Sequence, residues 1–244
     1  MDAMRGAVGF LTRIPVGRDE RAWTAFRHTP AVGPVAGYLV GGLLVIPFLI
    51  GLPAATTAVL FVAWVYLLTG INHLDGVADL GDAAVVHGDA EDRRMVMKDT
   101  QVGVGAVLGV GIVLLGLAAA GLTLATLPVA AVGIVIAAEV GAKLGMAAVA
   151  CLGHSAHEGL GASVIDPADR RDLVPAVALS VPAVALTGVH VAAGLAVLGG
   201  FIVALGMLAW SDRHLGGQSG DVLGATNELS RLVGLHLGAI AWTL

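Results

Sequence analysis

An all-α, multi-pass bundle embedded in a membrane is the fold this sequence predicts, and three observations predict it. Of 244 residues, 57% are hydrophobic and 13% charged, with a mean hydropathy of +0.89. Soluble domains run at about 45–50% apolar and about 25% charged. The apolar residues fall in runs long enough to cross a bilayer as helices, which takes roughly 20 residues. The polar residues collect in the loops between alternate runs. No long stretch has the composition of a soluble domain, so residues 1–244 read as one integral membrane domain.

Taken in order, the first apolar stretch is short and broken by Arg13 and Pro15, and no signal peptide is expected there. Spans are predicted near 31–51, 54–71, 102–126, 128–150, 173–189, 191–210 and 222–243, about six to seven in all. Pro53, Pro128 and Pro175 fall near boundaries, where proline is tolerated. The run from 173 to 210 is too long for one helix and divides near Gly188 to His190. The last span is polar in its first half. Glycine, at 35 residues, lets membrane helices approach closely. Arg5, Arg13, Arg18, Arg21 and Arg27 precede the first span, and Arg93, Arg94, Lys98, Arg170, Arg171 and Arg213 lie in the longer loops. The connections near 52, 127 and 190 carry no Lys or Arg, so the N-terminus and every long loop are expected in the cytoplasm. A single cysteine, Cys151, excludes an internal disulfide and a Cys-based zinc site.

The densest chemistry lies at 71–103, which holds six Asp and one Glu. In "HLDGVADLGD", Asp75, Asp79 and Asp82 stand at i, i+4 and i+7, one stripe of a helix. Bare carboxylates so placed repel one another, and a divalent cation relieves the conflict. Magnesium suits them, because it takes oxygen ligands and shares them with substrate phosphates. Gly76 is expected to leave room for a bulky group. Downstream, Arg93, Arg94, Lys98 and Asp99 supply the mixture of cations and acid that a phosphate-bearing substrate needs. A second constellation is "LGGQSGDVLGATNE": Gly216, Gly217 and Gly220 suggest a backbone anion cradle at a helix start. Asp221 and Glu228, seven apart, share a face of the last helix, with Asn227 alongside. Glu139 and Lys143, four apart within a span, read as an ion pair or a polar wall of the site. His154, His157 and Glu158 lack the spacing and the third ligand of a zinc site.

Five segments in order, "GFLTRIPVGR" (9–18), "HLDGVADLGDA" (73–83), "DRRMVMKDTQVGVGA" (92–106), "HEGLG" (157–161) and "LGGQSGDVLGATNEL" (215–229), resemble the cobalamin synthase, or adenosylcobinamide-GDP ribazoletransferase, family over nearly the whole chain. Ala83 stands where that family's motif usually has Gly. The resemblance implies a magnesium-dependent enzyme of the cell membrane that joins adenosylcobinamide-GDP to α-ribazole, or to its 5′-phosphate, with release of GMP. On that reading Asp75, Asp79 and Asp82 hold Mg2+, and one of them or Asp99 accepts the hydroxyl proton. Arg93, Arg94 and Lys98 hold phosphate oxygens. Gly216, Gly217, Gly220, Asp221, Asn227 and Glu228 close the substrate site from the other side. The lipid bilayer is a partner, a homo-oligomer or a complex with other cobalamin-pathway enzymes is compatible with the resemblance, and no nucleic acid is expected.

Two rivals are weighed. A CDP-alcohol phosphotransferase would show an Asp-Gly-x-x-Ala-Arg pattern, whereas Ala78 is followed here by Asp79. A divalent-cation transporter would thread its charges through the membrane, whereas these gather at one face.

Overall fold

The computed structural model describes residues 1–17 and 19–244; Arg18, counted above among the basic residues before the first span, lies outside the described residues. Every regular element among them is helical, and one parallel bridge between Ser155 and Gln218 is the nearest approach to a strand.

The centre of the bundle is α9 (Gly133–Leu152), which continues a 3-10 turn at Val129–Val132; all of α9 but Ile136, Met146 and Leu152 is buried. Its sequence is mostly Ala, Gly and Val, so α3 (Val32–Leu44), α12 (Ala192–His214) and α13 (Gly220–Thr243) pack closely around it. Lipid is as apolar as leucine, so close packing of small residues is what favours helix association here. By contrast only seven of the 21 residues of α8 (Val104–Leu124) are buried. It turns Val107, Leu108, Ile112 and Leu115 outward, as a helix apolar all round its circumference does at a lipid boundary.

Four stretches are long and apolar enough to cross a membrane: Val32–Leu49 (α3 with the short α4, Ile46–Leu49), Val104–Leu124, Val129–Leu152 and Ala192–His214. A fifth follows if α5 (Ala54–Thr69) and α6 (Asn72–Val85), bent by 101°, count as one. This is fewer than the six to seven expected, and the missing ones have identifiable causes. The span at 173–189 is interrupted: α11 (Leu173–Ser180) gives way at Pro182 to a 3-10 turn, Val181–Ala185, because the proline ring removes a backbone N–H and collides with the carbonyl four residues back. The 24 residues of α13 measure about 36 Å, ample for a crossing, but its first half carries Asp221, Glu228 and Arg231.

After α5 the chain turns sharply at Gly70, and α6 lies across one end of the bundle instead of passing through it. Its buried stripe of His73, Gly76, Val77, Leu80 and Ala83 sits on the first turns of α13 and α8. A Cβ on Gly76 would come within 2.5 Å of the Asp221 carbonyl oxygen, and one on Gly81 within 2.5 Å of the Gly105 carbonyl oxygen. Glycine at these crossings lets backbone touch backbone. Four further short helices belong to this end, among them α10 (Leu160–Ile165), whose Gly161 lies against the backbone of Gly220. Helix α7 (Ala90–Met97) is capped by Asp89 and returns beneath α6. Helices α1 (Asp2–Leu11) and α2 (Glu20–Arg27) clasp through Phe10, Trp23 and Phe26, and the Phe10 ring lies edge-on to His73.

Candidate active site

The amphipathic reading of α6 holds. Asp75, Asp79 and Asp82 occupy the stripe opposite the buried one, yet their surroundings differ. Asp82 is turned toward α8, where Oδ2 accepts from the Gly103 N–H (2.8 Å) and Oδ1 from the Ala106 N–H (2.9 Å). It acts as an N-cap supplied from another helix, satisfying two amides that α8 itself leaves without partners. Asp75 is exposed and Asp79 half-buried, and neither has an ion-pair partner among the described residues. Because Gly76 sits on the Asp221 backbone, the third carboxylate of this neighbourhood comes from the start of α13. Burial, then the Asp221, Asp75 and Asp82 charges in that order, push the Asp79 carboxyl up to about 7.

No three His, Cys, Asp or Glu side chains among the described residues lie close enough to enclose a metal ion. The expected convergence of 75, 79 and 82 on one cation is therefore replaced by an open acidic group of Asp75, Asp79 and Asp221, with Asp82 spent on α8. The space expected beside Gly76 is likewise filled by the first turn of α13. The donor set still suits a hard divalent cation that keeps several waters and takes only one or two carboxylates before substrate oxygens complete it.

Beside the acids lies a cavity of about 320 Å³ lined by Asn72, His73, His157, Gly161, Gly220 and Asp221, among others. That volume suits part of a large substrate. Its floor is a polar network running into the bundle. Asn227 Nδ2 donates to Glu228 Oε1 (3.0 Å) and stands 3.1 Å from His73 Nδ1. Tyr66 Oη donates to Glu228 Oε2 (3.1 Å), and Arg231 Nη1 lies 2.6 Å from Glu228 Oε1. Arg231 Nε donates to Glu139, and Lys143 Nζ donates to the other oxygen of the same carboxylate (2.5 Å). Two acids and two bases thus compensate one another in the core, and all four are at most 1% exposed. The ion-pair reading of Glu139 and Lys143 is right but incomplete, since it lacks Arg231 and Tyr66. Glu228 and Asn227 are buried members of this network, not an open wall for substrate. An arginine three residues after a glutamate inside a span is the sequence signal by which this network could be found.

The basic residues also have local tasks. Arg93 donates to the carbonyl oxygens of Ala83 (2.5 Å) and Ala84 (3.4 Å) at the end of α6, and Arg94 donates to the Leu215 carbonyl at the end of α12. Both cap helix C-termini and tie α7 to the site. Lys98 and Asp99 are exposed; Asp99 accepts from the Gln101 N–H (3.1 Å). The glycine loop is a clasp more than a cradle. Gly216 (φ 76°) and Gly217 (φ 143°) make a turn that L side chains rarely adopt. Gln218 N donates to the His154 carbonyl, Ala156 N donates to the Gln218 carbonyl (2.8 Å each), and Gly217 N donates to the Ser211 carbonyl (3.4 Å). Amides expected to be free for an anion are in part consumed by this pairing. Gly220 opens α13 at the cavity rim.

Fold and site together define an integral-membrane helical protein whose titratable groups gather at one end of the bundle around an acidic cavity. The profile of the cobalamin-5-phosphate synthase family matches residues 3–239, and the chain belongs to that family. It is similar to proteins named adenosylcobinamide-GDP ribazoletransferase from three organisms. That of Halorubrum lacusprofundi is 51% identical, covering 100% of this chain and 98% of the relative. That of Haloquadratum walsbyi is 43% identical, covering 100% and 99%. That of Halobacterium salinarum is 52% identical, covering 80% and 98%. No solved structure matches the chain.

Proposed function

We propose that this chain is a magnesium-dependent adenosylcobinamide-GDP ribazoletransferase of the cell membrane, with its reaction site on the cytoplasmic side. The observation that carries the reading is the coincidence of a family match over residues 3–239 with an uncompensated acidic group where α6 crosses α13. The 3′-hydroxyl of α-ribazole, or of its 5′-phosphate, attacks the phosphorus bonded to cobinamide. The bond from that phosphorus to the bridging oxygen breaks, and GMP departs with the oxygen. The products are adenosylcobalamin or its 5′-phosphate, and GMP.

One or two of Asp75, Asp79 and Asp221 would hold the magnesium, which would supply charge neutralisation for the pyrophosphate. Asp79, whose carboxyl is raised by burial and then by the neighbouring acids, would take the hydroxyl proton. Asp82 holds α8 in register with α6, and Arg93 and Arg94 hold α7 against the site; their remaining guanidinium N–H groups, with Lys98, face phosphate chemistry at this end. The lack of Lys and Arg at the opposite loops supports the cytoplasmic side.

The experiment is nucleotide release by purified protein in lipid, with and without Mg2+, offered adenosylcobinamide-GDP with α-ribazole or a CDP-alcohol with its acceptor. GMP release that depends on Mg2+ and α-ribazole is the expected result. CMP release, or metal flux into vesicles without transfer, overturns the reading.

A further inference from the structure

The network below the cavity fixes more than charge. Asn227 Nδ2 faces a carboxylate oxygen of Glu228, which can only accept, so that nitrogen is the amide donor and not a misassigned oxygen. Its second proton points at His73 Nδ1, 3.1 Å away. Nδ1 must therefore be the acceptor, and the imidazole proton sits on Nε2. The His73 side chain is 9% exposed, and Nε2 has no hydrogen-bond partner among the described residues. It is also not among the fully buried polar atoms that lack a hydrogen bond. The Nε2 atom is thus open, and the space it opens on is the cavity it shares with Gly220 and Asp221. The catalytic scheme above does not use it.

We propose that His73 is a substrate-binding residue whose Nε2–H, held in that tautomer by Asn227, donates a hydrogen bond to a pyrophosphate oxygen of the nucleotide-activated substrate. This rests on the reading of the site as a ribazoletransferase. A neutral donor fits the place: it stabilises developing negative charge on the phosphate oxygens without pairing with Asp75, Asp79 or Asp221 and drawing them from the cation. The chain Arg231–Glu228–Asn227–His73 then connects the buried network to the reacting group.

The test compares wild type with His73→Ala, His73→Gln and His73→Asn. The amide of Gln reaches the place of Nε2, whereas that of Asn reaches only the place of Nδ1. Wild-type GMP release from adenosylcobinamide-GDP must be present first; its absence defeats the parent reading and not this one. Given that activity, His73→Ala and His73→Asn are expected to lower kcat/KM for adenosylcobinamide-GDP roughly ten- to a hundredfold, with the KM for α-ribazole unchanged. His73→Gln is expected to recover most of the loss. A purely structural role predicts the reverse, rescue by Asn, which restores the contact to Asn227. That result, or a loss confined to the KM for α-ribazole, overturns the proposal. So does a nitrogen-15 signature showing the His73 proton on Nδ1 in the folded protein.

Discussion

Gly76→Ala is the sharpest test of the site's geometry. The new Cβ would stand 2.5 Å from the Asp221 carbonyl oxygen and 2.9 Å from its Cα, both backbone atoms with no rotamer to yield. Ordinary contact begins at 3.4 Å, so α6 and α13 must part by about 1 Å at the point that brings Asp75 and Asp79 to Asp221. Overpacking of this kind costs about 1–3 kcal/mol, which a bundle of this size absorbs while staying folded and inserted. A 1 Å displacement of groups that share a cation and a phosphate costs on the order of 10²-fold in rate. The assay is Mg2+-dependent GMP release from protein reconstituted in lipid, with the thermal transition recorded alongside. Gly111→Ala, at a glycine where an added Cβ meets nothing within 4 Å, is the matched control and should behave as wild type. Full turnover by Gly76→Ala would refute the claim that the crossing of these two helices assembles the site.

The other carboxylates should separate by role. Asp75→Ala should abolish turnover with an unchanged melting curve, whereas Asp82→Ala should lose about 1–2 kcal/mol of stability by uncapping α8, read by thermal unfolding in detergent. Arg231→Met should be worse than either, at about 3–5 kcal/mol, because it strands Glu228 without a counter-charge and leaves Glu139 with Lys143 alone; yield of folded protein and its melting temperature report this. The Asp79 carboxyl, raised to about 7 by burial and then by its neighbours, predicts two pH effects. Its folded-state pKa lies above the unfolded value, so without metal its contribution favours folding at low pH and is lost as pH rises toward about 7. Protons compete with the cation over the same window, so Mg2+ affinity should strengthen as pH rises through neutrality, and Asp79→Asn should flatten that dependence in a binding titration.

Much of this was legible in the chain because the rules that apply are local. The stripe of Asp75, Asp79 and Asp82 and the gathering of polar loops at one end follow from helical period and bilayer thickness alone. What escaped depends on which helix lies against which. Nothing near Asp82 in the sequence says that α8 lacks two acceptors, and the Gly103 and Ala106 amides that claim it lie 21 and 24 residues away. Arg93 and Arg94 look like phosphate ligands until the ends of α6 and α12 are seen to need their N–H groups. His73 lies 154 residues from Asn227, and only the folded contact assigns its proton. The predicted spans outnumber the stretches that are long and apolar enough where proline and buried charge intervene, at Pro182 and in the first half of α13.

The joining of Arg231 to Glu139 also bears on how the chain is built. A helix entering lipid with Glu228 and Arg231 but no receiver carries a penalty of a few kcal/mol for each charge. Helix α9, made some 90 residues earlier during synthesis, already holds the Glu139–Lys143 pair that meets Arg231. The polar half of α13 can thus slide in against a template that is waiting for it, and the acidic rim beside Gly76 forms only when α13 arrives. Biogenesis and activation of the enzyme become a single event, set by the order in which the ribosome delivers its parts.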